Sequence, residues 1–145
     1  MRCVQQGESN VDLRILLYIG AGGALGSITR YGVSYLVQSR STSVFPIATL
    51  LINTSGSLLL GFIMLYALES SAITAELRLL LTVGFCGGYT TFSSFGYETV
   101  RLLEEGDYAR AALYVCLSIM LALAATFLGF TLARAVLAMR RGLGP

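Results

Sequence analysis

Four long apolar stretches, separated by short polar connectors, set the main limit on how this chain can fold. They run from about Ile15 to Val37, Pro46 to Leu68, Leu77 to Leu103 and Tyr108 to Met139. A helix needs about 20 residues to cross a bilayer, so each stretch is long enough. We predict an all-α membrane protein in a lipid bilayer, with one four-helix transmembrane domain over residues 13–141 and a polar N-terminal segment over residues 1–12.

The composition supports the membrane class and excludes several others. Only 12% of the residues are charged, against about a quarter in a soluble domain, and a net charge of +2 is too small to suggest nucleic-acid binding. The chain has no histidine, the commonest general base and metal ligand, so we expect no enzyme. Its three cysteines form no CxxC pair, which argues against a zinc site or a disulfide framework.

The distribution of arginines leaves the membrane orientation open. With four spans both termini share one side, which would hold six arginines: Arg2, Arg14, Arg78, Arg134, Arg140 and Arg141. The other side would hold four: Arg30, Arg40, Arg101 and Arg110. Such a weak bias fits either cytoplasmic termini or insertion in both orientations.

Small residues recur at helical spacing along the predicted spans. They are Gly22 and Gly26 in the first, Ser57 and Gly61 in the second, and Ala111, Ser118, Ala122, Ala125 and Gly129 in the fourth. Rows of small residues allow helix backbones to approach closely in lipid. The rows therefore indicate close packing, either within one chain or between the subunits of an oligomer.

The third stretch contains the motif VGFCGGYTTFSSFGYE, Val83 to Glu98, which is unusually polar for a membrane helix. One continuous helix from Leu77 to Leu103 would be about 40 Å long, beyond a hydrocarbon core of about 30 Å. We expect a break at Gly87–Gly88, with Thr90 and Thr91 capping the half-helix that follows; a simple glycine kink is the alternative. The carbonyls at a break can coordinate a cation, and the next N-terminus favours an anion.

Neutral polar side chains line up on the second and fourth spans. Their spacing at multiples of four places them on one face of each helix: Thr49, Asn53 and Ser57 on the second, and Tyr114, Ser118 and Thr126 on the fourth. Asn53 can simply join two helices by hydrogen bonds, but the polar rows also suit a path for a small anion. Positive ring edges of Phe92 and Phe95 could line such a path, although aromatics at this spacing are more often plain packing.

Three of these stretches together resemble the motifs of a known family, the CrcB or Fluc fluoride channels. GFCGGYTTFSSFGYET is similar to that family's third-span pattern, GF-x-GG-x-TTFS-[ST]-F-x-x-E. GALGSITRY resembles its first-span G-x-x-x-R motif, and PIATLLINTSGSLLLG resembles its second-span G-T-L-x-x-N-x-x-G motif. The order and spacing also agree, and the resemblance covers nearly the whole chain after about Leu13.

The resemblance implies an antiparallel, dual-topology homodimer with a third helix broken in mid-membrane and two fluoride pores. It implies one central sodium ion, structural and not transported, bound by the backbone carbonyls of Gly87 and Thr90 of each subunit. Arg30 and Glu98 would lie in the vestibule. The residues that it places along the fluoride pore are Asn53, Phe92, Phe95, Thr49, Ser93, Tyr114, Ser118 and Thr126. Two positions depart from the family pattern. Family members can have Ser at the position of Ala122, so one polar side chain of the pore is missing here, and they usually have Gly at the position of Ala48.

The function that the resemblance implies is passive, selective export of fluoride from the cytoplasm across a bacterial inner membrane, which lowers fluoride toxicity. One alternative is a small multidrug-type proton-coupled exporter, which can also be a four-span dual-topology dimer. That class uses a membrane-embedded Glu in its first span, where this chain has Arg30 and no carboxylate. A second alternative is a non-transporting subunit of a membrane assembly.

Overall fold

The computed structural model describes residues 12–40, 43–70 and 72–142, and every regular element in these ranges is helical. In chain order the elements are α1 (Leu13–Gln38), α2 (Ile47–Glu69), α3 (Ala75–Leu79), the π-helix π1 (Leu80–Cys86), α4 (Gly87–Tyr89), α5 (Phe92–Glu104) and α6 (Tyr108–Gly142). Because α3, π1 and α4 are contiguous, we call residues 75–89 the upstream half of the third helical stretch, and α5 its downstream half. The all-α class is confirmed for the described ranges, whereas the predicted polar segment 1–12 lies outside them except for Asp12.

Two helices among the described residues are long and apolar enough to cross a membrane, by length and composition alone: Ile47–Glu69 and Tyr108–Gly142. Helix α1 has 26 residues, but its glycine, hydroxyl and arginine residues lower its mean hydropathy. The third stretch is divided, and its downstream half of 13 residues is only about 20 Å long. Crossing of the membrane by these other two stretches stays a prediction.

Short polar connectors start and stop the helices as their residue types predict. Gly106 adopts a φ of 78°, a left-handed conformation that favours glycine, directly after α5 ends. Asp107 follows, and its carboxylate accepts a hydrogen bond from the backbone N–H of Arg110 at 3.2 Å. Gly106 therefore ends α5, and Asp107 caps the start of α6.

Helix α1 crosses the upstream half of the third stretch at backbone contact. A Cβ atom added at Gly22 would collide with the carbonyl oxygen of Leu80, and one at Gly26 with that of Phe85. From the other side, a Cβ at Gly88 would collide with the carbonyl of Gly23. Gly22 and Gly26 therefore serve packing within one chain, because any side chain at these two positions would force the two backbones apart.

Helices α2 and α6 pack along each other through a second close crossing. A Cβ at Gly129 would meet the carbonyl oxygen of Leu58, and one at Gly61 would lie 2.5 Å from that of Thr126. Ala125 and Ala133 on the same side of α6 are buried. The small-residue stripe of the fourth span thus also packs inside the chain.

The predicted break at Gly87–Gly88 is wrong in its position. Both glycines belong to helix α4, and Gly87 has helical dihedrals (φ −64°, ψ −37°). The extended residues are Thr90 (φ −76°, ψ 158°) and Thr91 (φ −149°, ψ 112°), which separate α4 from α5. At Gly88 the absent side chain permits the crossing with α1 rather than ending the helix.

Of the two threonines predicted to cap the downstream half, only one does so. The hydroxyl of Thr91 accepts a hydrogen bond from the N–H of Ser94 at 3.1 Å, so Thr91 caps α5 as predicted. Thr90 does not cap α5, because its hydroxyl instead donates back to the carbonyl of Cys86 at 2.9 Å. The upstream half therefore retains its last hydrogen bonds up to Thr90, and the change of direction is confined to two residues.

Candidate functional site

Asn53 joins helix α2 to the extended residues between α4 and α5. The backbone N–H of Thr91 donates to its Oδ1 at 2.8 Å, and its Nδ2 donates to the backbone carbonyl of Thr91 at 3.0 Å. Because a backbone N–H only donates and a carbonyl only accepts, these partners fix the orientation of the amide. The Asn53 side chain thus replaces helical hydrogen bonds that the extended backbone of Thr91 cannot make.

Several backbone carbonyls lose their usual helical donors at this point, those of Gly87 and Thr90 among them. In a continuous helix the N–H of Thr91 would bond to Gly87, and that of Ser94 would bond to Thr90. The first N–H donates instead to Asn53, and the second to the Thr91 hydroxyl. The carbonyl oxygens of Gly87 and Thr90 are therefore left available as ligands, and such oxygens suit a hard cation.

A cavity of about 300 Å³ lies beside the interruption, between α2, α5 and α6. It has both polar and apolar lining, which comes from Asn53, Gly56, Ser57, Leu60, Thr90, Thr91, Phe92, Phe95, Ser118, Ile119 and Ala122. The cavity thus brings together four of the predicted pore residues: Asn53, Phe92, Phe95 and Ser118.

Ser118 contributes a buried hydroxyl to the lining of this cavity. Its Oγ is buried, and no hydrogen-bond partner for it exists among the described residues. A buried polar atom without a partner costs about 1–3 kcal/mol, so such atoms call for an explanation. Because Ser118 lines the cavity, its hydroxyl is available there to a small ligand that accepts a hydrogen bond.

The two phenylalanines on the first turn of α5 have different environments. Their ring centroids lie 5.4 Å apart with the rings tilted by 40°. Phe92 is 83% exposed in the single chain, whereas Phe95 packs against the core formed by Leu102, Ala111 and Tyr114. Phe95 is held in place by contacts within its own chain, while most of Phe92 remains open to a further contact.

A second polar cluster is centred on the carboxylate of Glu98. Thr49 donates to its Oε1 at 2.8 Å, and Tyr114 donates to its Oε2 at 2.7 Å. Thr49 is buried and Tyr114 is completely so, with 0% exposure. Glu98 also lines a separate cavity of about 400 Å³, together with Arg101 of the same helix and Glu105 directly after its end. The cluster therefore connects α2, α5 and α6 through one carboxylate.

The other predicted site residues lie outside the first cavity. Ser93 is exposed, and its hydroxyl lies 3.2 Å from that of Thr91. The hydroxyl of Thr126 donates to the carbonyls of Ala122 at 2.9 Å and Ser57 at 3.4 Å. Arg30 is half-buried on α1, and among the described residues it takes part in no hydrogen bond or ion pair. The single chain therefore does not bring these three residues to the cavity.

Sequence reasoning missed several residues that shape the site. Gly56 lies against the interruption, since a Cβ there would collide with the side chain of Thr90 and lie 3.2 Å from the Tyr89 ring. Thr91 both caps α5 and binds Asn53. The capping pattern pointed to Thr91 as a helix start, but its pairing with Asn53 depends on how α2 lies against the third stretch. The second-span motif ends on Gly56, but no local signal in the sequence places this glycine against Thr90.

Comparison with known proteins places the chain in a family. Residues 17–130 match the family described as CrcB-like protein, Camphor Resistance (CrcB). The chain is similar to the fluoride-specific ion channel FluC of Coxiella burnetii, with 46% identity over 121 residues, 83% of this chain and 96% of the relative. The FluC protein of Thermus thermophilus shares 46% identity over 120 residues, 83% and 95% of the two chains.

A third relative extends the match over its own full length. The fluoride-specific ion channel FluC of Geotalea uraniireducens is 42% identical over 124 residues, which are 86% of this chain and 100% of that protein. The matched region contains all the residues of the cavity and of the Glu98 cluster. The resemblance seen in the sequence motifs is thus confirmed, and the chain belongs to the CrcB family.

Proposed function

We propose that this protein is a fluoride-selective ion channel of a membrane, a transporter rather than an enzyme. The observation that carries the proposal is the cavity beside Thr90 and Thr91, into which the chain places the Asn53 amide and the unpartnered hydroxyl of Ser118. Relatives that match most of this chain are named fluoride-specific ion channels. A small, strongly hydrogen-bonding anion is the ligand that best fits such neutral donors.

The proposed path combines neutral donors with aromatic edges. The second Nδ2 hydrogen of Asn53 and the Ser118 hydroxyl would replace part of the water shell of fluoride. Neither carries a full charge that would trap the ion, and conduction requires binding that is favourable but escapable. The positive ring edges of Phe92 and Phe95 would line the same path.

The outer part of the proposed path is lined by the other predicted pore and vestibule residues. Thr49 and Tyr114 would lie next along the route, with Glu98 holding both hydroxyls in fixed positions. Arg30 would raise the local anion concentration at the mouth through its positive charge. Ser93 and Thr126 remain proposed members of the path.

A structural sodium ion fits two of the carbonyls that the interruption releases, the two that the resemblance also points to. Gly87 and Thr90 offer uncharged oxygen ligands, the donor type of hard cations, and two subunits would supply four. When bound, the ion would hold the non-helical backbone together and offset the charge of a nearby anion. We place the interruption in mid-membrane. Non-helical backbone at that depth requires cover from protein or from a polar cavity, and the cavity beside Asn53 would provide it.

The assembly proposed is an antiparallel, dual-topology homodimer in a bacterial inner membrane. Support comes from the weak arginine bias and from Phe92, which is 83% exposed in the single chain. In this arrangement fluoride would leave the cytoplasm passively, down its own gradient. The proton-coupled multidrug-type exporter is not favoured by the relatives that the chain matches.

Fluoride efflux from liposomes that contain purified variants tests the path. Phe92→Ile and Asn53→Ala are expected to reduce efflux severalfold while the dimer still assembles. Phe127→Ile is the matched control, because Phe127 is exposed on α6 and does not line the cavity. Unchanged efflux in both path variants would remove the proposed path.

A further inference from the structure

We propose that Asn53 is the positioning residue of the cation site, so that one side chain serves both the anion path and the cation. The inference rests on the sodium site proposed above and adds the residue that creates it. Asn53 would not touch the ion; it would act through the backbone of Thr91.

The first step concerns the carbonyl of Gly87. This oxygen is free for a cation only while the N–H of Thr91 is engaged elsewhere, and that N–H is held by Asn53 Oδ1 at 2.8 Å. Without an acceptor at position 53, the N–H would be buried without a partner, at a cost of about 1–3 kcal/mol. The nearest remedy is to re-form the helical bond to Gly87, which would remove one ligand.

The second step concerns the direction in which the backbone runs. The Nδ2 of Asn53 donates to the carbonyl of Thr91 at 3.0 Å, so the residue is held from both sides. The hydroxyl of Thr91 can then cap Ser94 at 3.1 Å, which keeps the N–H of Ser94 away from the Thr90 carbonyl. Asn53 therefore directly keeps the Gly87 carbonyl free of a helical hydrogen bond, and it does the same indirectly for the Thr90 carbonyl.

The third step is that the same amide lines the cavity. Its Oδ1 and one Nδ2 hydrogen are bonded to Thr91. The second Nδ2 hydrogen is left for the cavity that Asn53 lines. The cation site and the anion path are thus joined through a single carboxamide. A change at Asn53 must affect both, whereas a change at Ser118, across the cavity, must affect only the anion path.

Three variants separate these roles. Asn53→Leu keeps the size but removes the acceptor and the donors. Asn53→Asp keeps an oxygen that accepts from the Thr91 N–H but loses the donor to the Thr91 carbonyl, and its negative charge would repel a passing anion. Ser118→Ala removes a cavity hydroxyl that makes no contact with Thr91 among the described residues.

The experiment measures thermal unfolding of the full-length protein in detergent as a function of NaCl, with N-methylglucamine chloride holding ionic strength constant. A ligand that binds the folded state raises the unfolding temperature, and the midpoint concentration reports its affinity. We expect Asn53→Leu to raise the sodium midpoint by about 10–100-fold, the usual cost of removing an outer-shell partner of a metal site. Asn53→Asp should raise the sodium midpoint less than Asn53→Leu, because it keeps the acceptor for the Thr91 N–H but loses the donor to the Thr91 carbonyl. Ser118→Ala should keep the wild-type midpoint, while all three variants lower fluoride efflux.

Each result decides the inference. A wild-type midpoint in Asn53→Leu would overturn it, as would a wild-type protein whose unfolding does not respond to sodium. If Asn53→Leu does not fold, Asn53→Asp is compared with Ser118→Ala, and equal sodium midpoints in these two variants would contradict the proposal. Fluoride efflux of the wild-type protein is measured separately, so failure of the channel function is distinguished from failure of the cation site.

Discussion

Phe95 lies against Tyr114, with ring centroids 5.3 Å apart and the rings tilted by 49°. Through this contact the cavity beside Asn53 adjoins the cluster in which Tyr114 and Thr49 donate to Glu98. Since Phe95 also lines the cavity, the two polar groups form one continuous region between α2, α5 and α6. The proposed anion path follows this region.

Replacing Ser118 should lower transport without lowering stability. In Ser118→Ala the lost hydroxyl has no partner in the described part of the chain, so no protein hydrogen bond is sacrificed. We expect fluoride efflux to fall about tenfold, the equivalent of one hydrogen bond of about 1.4 kcal/mol, with an unfolding temperature equal to or above that of the wild type.

The matched control for Ser118 is Ser55→Ala on α2. The hydroxyl of Ser55 lies 2.9 Å from that of Tyr89, and Ser55 does not line the cavity. This variant should lower stability by about 1 kcal/mol and leave efflux unchanged. The interpretation of Ser118 would be wrong if its variant lost stability and kept full efflux.

Tyr114→Phe should destabilise the fold through the Glu98 carboxylate. The variant keeps the ring contacts but leaves a half-buried carboxylate with one of its two donors. Hydrogen bonds to charged groups contribute about 1.5–3 kcal/mol, so the free energy of unfolding should fall by that amount. Denaturant unfolding measures it, with Tyr97→Phe as the control because Tyr97 is exposed one residue before Glu98. Equal effects of the two substitutions would contradict the role given to the Tyr114 hydroxyl.

Gly26→Ala should disrupt the crossing of α1 with the third helical stretch. The new Cβ would collide with the carbonyl of Phe85 and lie 2.8 Å from the backbone nitrogen of Tyr89, and backbone atoms cannot turn aside. Overpacking of this kind costs about 1–3 kcal/mol or more. Thermal unfolding should show a lower transition temperature for this variant.

Gly20→Ala, on the same helix, is the control for the crossing. In the described ranges nothing lies within 4 Å of a Cβ built at Gly20, and alanine favours helix over glycine by about 1 kcal/mol. This variant should therefore be as stable as the wild type or more so. If both glycines tolerate alanine equally, the close backbone crossing is not what constrains α1.

Arg30→Gln should reduce efflux in a salt-dependent manner. A charge that attracts anions over a distance is screened, since the Debye length falls from about 30 Å at 0.01 M to about 3 Å at 1 M. We expect a severalfold loss of fluoride efflux at low ionic strength and little loss at 1 M salt. Arg110→Gln is the control because Arg110 is paired with Asp107 at 3.0 Å; a deficit in Arg30→Gln that is independent of salt would exclude the electrostatic role.

The helices were predictable because they depend on local features of the chain. Apolar stretches and connectors such as Gly106–Asp107 define where helices run, and these signals need no tertiary information. Asn53 could also be singled out, since an amide in an apolar helix requires partners. Which partner it has, the backbone of Thr91, depends on the packing of α2 against the third stretch.

The remaining features arise from contacts between helices. The π-helix Leu80–Cys86 coincides with the crossing of α1, where a Cβ at Gly84 would lie 2.8 Å from the carbonyl of Ile19. The expectation that Gly88 ends a helix failed because glycine serves both helix ends and close crossings. The resemblance pointed to Glu98 as a vestibule residue. It could not give the hydroxyl partners of Glu98, because these come from two other helices.

The central claim, selective fluoride conduction, is tested most directly by passive ion efflux from liposomes reconstituted with the purified wild-type protein. A fluoride electrode records efflux down a fluoride gradient, and a chloride electrode records a parallel chloride gradient with no proton gradient applied. We predict rapid fluoride efflux and chloride efflux no faster than that of protein-free liposomes. Fluoride efflux equal to that of protein-free liposomes, or equal rates for the two halides, would contradict the account.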